Sequence, residues 1–157
     1  MAEKPILIIG LGNPILGDDG LGWVITEKLS SELSTRSDLE FEFLSLGGLA
    51  LMERLIGYNK VIIFDAITSG NKEKGAIHFS PLNLLPYRSS GHTLSAHDTD
   101  LRTALEVGRS MEVDLPDDEN IFVIGIETDE IYDFRENLST EVINAIPDAI
   151  GLFYSLI

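Results

Sequence analysis

The chain has 157 residues, 44% of them hydrophobic, no cysteine, and a formal net charge of −15. That length and apolar content suit one folded domain over residues 1–157 rather than a disordered segment. Absence of cysteine excludes disulfides, thiolate metal sites and a cysteine nucleophile, and so acidic a chain repels nucleic-acid backbones and anionic membranes.

Met1-Ala2-Glu3-Lys4-Pro5 lacks the basic and apolar regions of a signal peptide, and no apolar run is long enough to cross a bilayer. A cytoplasmic location is therefore expected. Ile6–Ile9 is an unbroken apolar run stopped by Gly10, the pattern of a strand buried on both faces. After a glycine-rich loop, Leu21, Val24, Ile25, Leu29 and Leu33 recur at helical spacing. Phe41, Phe43 and Ser45 alternate with Glu42 and Leu44, which predicts a second strand. Leu51, Leu55 and Ile56 predict a short helix, Val61–Phe64 a third strand ending at Asp65, and Ala76–Phe79 a fourth. Leu101, Ala104, Leu105 and Gly108 place a helix after the segment that holds His97. Ile121–Ile124 reads as a fifth strand, and a last helix covers about Ser139 to Leu156, with a kink expected at Pro147. Strands alternating with helices predict a mostly parallel sheet covered on both faces. Ligand and catalytic groups collect at the C-terminal edge of such a sheet. The loops Gly10–Gly22, Asp65–Gly75 and Leu82–Asp98 are expected to leave from that edge.

The first loop invites a dinucleotide-binding reading, but Ile15 stands where the third glycine belongs, and the second strand ends in Ser45-Leu46-Gly47 instead of an acid. Asp18 and Asp19 sit where a helix begins. One of them has a structural task as an N-cap, and the other would project into the cleft. Asp65 follows four apolar residues, so its desolvation calls for a partner or a metal, unless it caps the turn Ala66–Gly70. Of the three histidines, His78 reads as a packed or edge residue within a strand and His92 as an exposed loop residue. His97 lies just before a helix, with Ser95 and Asp98 at capping-box spacing. Two carboxylates and one imidazole from three loops make a metal site with coordination positions left open. All three are expected to be exposed at the strand edge, contributing little to core packing.

In their order along the chain, these motifs resemble the hydrogenase maturation endopeptidase family. Gly10, Gly12, Asn13, Asp18, Asp19, Gly20 and Gly22 look like its opening motif, Val61–Asp65 with Ala66 like its apolar strand ending in Asp-Ala. Ser95-Ala96-His97-Asp98 is similar to its histidine segment, and Ile124-Gly125-Ile126-Glu127 to its late strand. The resemblance implies a three-layer α/β/α sandwich of the phosphorylase/hydrolase-like kind, with a five-stranded mixed sheet of order 2-1-3-5-4 and strand 4 antiparallel. It implies an aspartic-type or metal-dependent endopeptidase that trims the C-terminal extension of a nickel–iron hydrogenase large-subunit precursor. Asp19, Asp65 and His97 map onto the family's metal-contacting residues and are taken as both catalytic and metal-binding. Nickel then arrives with the substrate, and the free enzyme, expected to be a monomer, carries little metal. The chain departs from the family in two places: Asp19 stands where many members have Glu, and Leu46-Gly47-Gly48-Leu49 where many have Asp-Gly-Gly-Thr. The segment Leu82–Ser95 is expected to close over the precursor's tail.

Two other readings use the same residues. A non-enzymatic nickel carrier or maturation adaptor would change the precursor's metal content and leave its length unaltered. Gly10–Pro14 also resembles peptidyl-tRNA hydrolase, but the Thr-Arg-His-Asn segment of that family is missing, and the charge of −15 opposes an RNA substrate.

Overall fold

The computed structural model of the chain describes residues 3–84, 96–129 and 134–157, with the backbone alone for residues 96–100. Its five strands are β1 (Ile6–Leu11), β2 (Leu39–Leu44), β3 (Val61–Ile67), β4 (Ile77–Pro81) and β5 (Ile121–Glu127). They form one sheet in the order β2-β1-β3-β5-β4, parallel throughout except for β4, which runs antiparallel to β5. This is the sheet that the family resemblance implied.

The helices are α1 (Leu21–Glu32), α2 (Gly48–Arg54), α3 (Ala96–Ser110) and α4 (Thr140–Leu156). Alternate strand residues point to opposite faces. Leu7, Ile9, Leu11, Val61, Ile63, Ile121 and Val123 pack beneath α2 and α3. Ile8, Ile62, Phe64, Ile124 and Ile126 pack beneath α1 and α4. Burial on both faces is why these strands read as unbroken apolar runs. Pro147 lies inside α4 and does not end it, and Val142, Ala145, Ala149 and Phe153 remain buried on either side of it. Among the described residues no helix is long and apolar enough to cross a membrane.

Several boundaries differ from expectation by a few residues, and three differences bear on the site. β3 continues past Asp65 to Ile67, because Ala66 and Ile67 still pair with Ile126 and Glu127 of β5. α3 begins at Ala96, so His97 lies within its first turn rather than ahead of it. The third loop does not leave from the C-terminal edge. β4 pairs Ile77 with Ile126 and Pro81 with Phe122, so it exits where β5 begins. The chain after α3 returns to that same edge, where Asp114 O accepts from Gly57 N at 2.9 Å and the Asp114 carboxylate holds Lys4 Nζ at 2.9 Å. A 15-residue helix spans about 22 Å, roughly the length of β3, so the first turn of α3 stands at the C-terminal edge. His97 is thus carried there by a helix. His92 and most of the segment expected to close over a substrate fall in 85–95, outside the described residues.

Candidate active site

Beyond β1 the chain folds straight back on itself. Gly12 has φ +137°, and a Cβ there would lie 2.0 Å from Asp19 O, so no side chain fits that turn. Asn13 N donates to both Asp19 O (3.2 Å) and Asp19 Oδ2 (2.9 Å), which fixes the half-buried Asp19 at the end of β1. The 3₁₀ turn that contains it, Gly17–Gly20, lies against β3.

The acidic pair divides its work, but not by capping α1, whose N-cap is Gly20 with no side-chain bond. Asp18 is buried and reaches across the fold: Oδ1 accepts from Ser139 N at 2.6 Å and Oδ2 from Ser139 Oγ at 2.7 Å. Lys74 Nζ stands 3.6 Å from Asp18 and 3.6 Å from Asp129. Beside it, Gly17 N donates to Arg135 O and Arg135 N to Ile15 O. Asp18 therefore ties the loop of Asp19 to the entrance of α4 and leaves Asp19 as the acid turned toward the sheet edge.

Asp65 corrects the expectation of exposure, for it is fully buried inside β3. Strand alternation puts it on the face of Ile63 and Ile67, the face that α3 covers. The structure thus brings Asp19 and Asp65 to the ends of two neighbouring strands and sets the backbone of His97 at the same edge. Among the described residues no three His, Asp or Glu side chains group to hold a metal, and the His97 ring lies outside that set.

A second polar cluster shares the face of Asp65. Glu127 ends β5 fully enclosed; its carboxylate accepts from Ser69 N at 2.9 Å, from Ser69 Oγ, and from His78 Nε2 at 3.0 Å. The signal for it was the one that marked Asp65, a carboxylate ending an apolar strand, here Ile121–Ile126. Glu127 sits between Ser69 and His78, so the imidazole cannot take the Ser69 proton, and the trio is no nucleophilic triad. Its effect is to pin the turn that leaves β3 two residues beyond the strand. Burial lowers the His78 pKa below its ordinary 6.5; the bond to Glu127 opposes that shift without reversing it, and Lys72 adds to it. The ring is then mostly neutral at pH 7 and must carry its proton on Nε2 to donate to the carboxylate. Unfolded, the imidazole titrates near 6.5, while folded it takes a proton only at lower pH. Between those values the unfolded chain binds the extra proton, so stability present above 6.5 is lost as pH falls through that window. Urea midpoints on either side of that value should show the loss, and His78→Gln should flatten it. An unchanged slope in the variant would assign the acid sensitivity elsewhere.

The family model for hydrogenase maturation proteases, HycI, matches residues 25–155. The chain belongs to the hydrogenase maturation protease family. The match begins within α1, so Asp19 precedes it, whereas relatives align over nearly the whole chain. MJ0253 of Methanocaldococcus jannaschii, named for the same family, is 29% identical over 97% of this chain and 96% of its own. The hydrogenase maturating endopeptidase HybD of E. coli superposes with a TM-score of 0.74 at 21% identity, covering 97% of this chain and 91% of that one. The [NiFe] hydrogenase maturation protease HybD of Thermococcus kodakarensis gives 0.68 at 24% identity, over 98% and 99%. In this hydrogenase maturation protease the glycines serve placement: Gly12 lets β1 end in a reversal, and Gly10 and Gly22 let α1 lie directly on the strands.

Proposed function

We propose that this hydrogenase maturation protease removes the C-terminal extension of a nickel–iron hydrogenase large-subunit precursor after nickel has been inserted. Asp19, Asp65 and His97 contact the nickel that the precursor brings, and so hold the scissile bond in place. One observation carries the reading. The Asp19 loop folds back against β3, which bears the buried Asp65, at the edge where the first turn of α3 stands. Two carboxylates and one imidazole leave coordination positions open, and a chain without cysteine offers no thiolate of its own. A precursor with cysteine-bound nickel fills those positions, so tight binding depends on metal already inserted. Immature precursor is rejected by lost metal–ligand bonds rather than by peptide sequence. Water is activated either by the nickel as a Lewis acid or by a carboxylate as general base. The acidic chain works in the cytoplasm as a monomer, without nucleic-acid or membrane partners.

Nickel-loaded and nickel-free precursor are incubated with one enzyme preparation and read by intact mass. Shortening of the loaded form alone is expected, with little metal bound to the enzyme beforehand. Equal cleavage of both forms would remove the checkpoint, and metal retained through chelator dialysis would indicate a resident cofactor. A non-enzymatic carrier would alter metal content and leave the precursor at full length.

A further inference from the structure

On the α1 side of the sheet, the outermost strand β2 presents Phe43, 37% exposed, and α1 sets Val24, 42% exposed, beside it. Trp23 meets Phe43 edge to face, with centroids 5.6 Å apart at 66°. Its Nε1 donates to Leu44 O at 3.1 Å, which fixes the indole as a wall. With Pro14 and Glu27 these residues line an open groove of about 380 Å³. Single exposed apolar residues are ordinary, whereas several walling one concavity mark a surface that takes a partner.

Charge and position narrow the occupant. Glu42 of β2 is already held by Arg54 at 2.8 and 2.9 Å, whereas the Glu27 carboxylate has no ion-pair partner among the described residues. A second copy of the chain would set a charge of −15 against its equal, so a partner segment with Lys or Arg is favoured. Beyond β2 no further strand pairs among the described residues, which leaves room for an extended segment along the edge. Pro14 follows Asn13, whose N–H is bonded to Asp19, so the groove begins where the site loop begins.

We infer that this groove seats one bulky apolar side chain of the precursor, from an extended segment that sets Lys or Arg against Glu27. The inference rests on the proposed function and adds to it where the precursor is held. The fixed indole and the helix face lose little freedom on binding, so the contact contributes to affinity rather than to the chemical step.

Val24→Glu, Val24→Ala and Glu27→Gln are compared with the parent enzyme for cleavage of nickel-loaded precursor, for precursor binding by fluorescence polarisation, and for mass by sedimentation. Val24 projects into solvent from a helix, so the variants fold, and their melting curves verify this. Val24→Glu should raise KM and Kd about tenfold with kcat nearly unchanged, and Val24→Ala should do so less. Glu27→Gln should weaken binding and reduce its dependence on salt. Parental KM and Kd in all three variants would overturn the groove, as would a dimer that Val24→Glu dissociates. A parent enzyme that binds precursor without cutting it would sink the proposed function alone, and the Kd values would still judge the groove. No binding by the parent would overturn both.

Discussion

If Asp19, Asp65 and His97 contact the nickel as proposed, Asp19→Asn, Asp65→Asn and His97→Ala should each lower processing of a nickel-loaded precursor by more than about a hundredfold, beyond the range for losing an outer-shell partner of a metal. Losing a direct contact removes both metal affinity and orientation of the bond to be cut. The two asparagine variants keep shape. In Asp19→Asn the new amide oxygen can still accept from Asn13 N, and Asp65 is replaced by a side chain of nearly equal volume inside the strand. Asp18 is the built-in contrast. Asp18→Ala strips Ser139 N and Oγ of their acceptor and Lys74 of a counter-charge, so it costs about 1–3 kcal/mol of stability. Time courses by intact mass, paired with denaturation curves, separate the two kinds of loss. If Asp19→Asn stays active and Asp18→Asn is dead, the acids have been assigned in the wrong order. If His97→Ala is active and His92→Ala dead, the imidazole has been misassigned.

Where the sequence was legible, side-chain pattern was enough. β1, β3 and β5 are buried on both faces, and so each shows an apolar run that needs no partner to be recognised. Their ends were not legible. Asp65 interrupts the run, yet the ladder continues through Ile67↔Glu127, because backbone pairing is indifferent to the polarity of the side chain it carries. The start of α3 was hidden for a similar reason, since helical spacing becomes visible only at Leu101, more than a turn after Ala96. The antiparallel course of β4 came from the family resemblance alone. Local pattern does not encode direction, and the third loop was accordingly assigned to the wrong edge.

The candidate site divides along the same line. Asp19 was found as one of two acids where a helix begins and was chosen over Asp18 by the family resemblance, whereas Asp65 was found because a carboxylate at a strand exit is costly to bury without a purpose. Glu127 satisfies that test equally and was read only as part of a motif; its partners Ser69 and His78 lie 58 and 49 residues away. Asp18 meets Ser139 across 121 residues. Such partners are set by tertiary contact, and an N-cap, the nearest local explanation for Asp18, displaced the distant one.

Gly22→Ala should be among the most damaging single-methyl additions in the chain, although Gly22 is helical and alanine is the better helix former. A Cβ at Gly22 would lie 2.4 Å from Phe64 O, 2.6 Å from Leu11 O and 3.0 Å from Leu11 N. All three are backbone atoms of β1 and β3, and none can rotate aside. Relief requires lifting α1 from the sheet, which loosens Leu21, Ile25 and Leu29 against Ile8, Ile62 and Phe64. Overpacking of this kind costs about 1–3 kcal/mol, and unyielding backbone on both strands puts Gly22 at or above the upper end. The gain of about 1 kcal/mol in helix propensity does not offset that. Gly151 supplies the control: it too lies in a helix, α4, but a Cβ there meets nothing within 4 Å. Gly151→Ala should leave stability unchanged or raise it by up to about 1 kcal/mol. Chemical denaturation of the two variants beside the parent reads the difference directly. Gly22→Ala should also cleave poorly where it is still folded, because the 3₁₀ turn with Asp19 runs straight into α1 and moves with it. Parental stability in Gly22→Ala would show that α1 has more clearance than these contacts allow, and full activity with lowered stability would detach Asp19 from the helix that follows it.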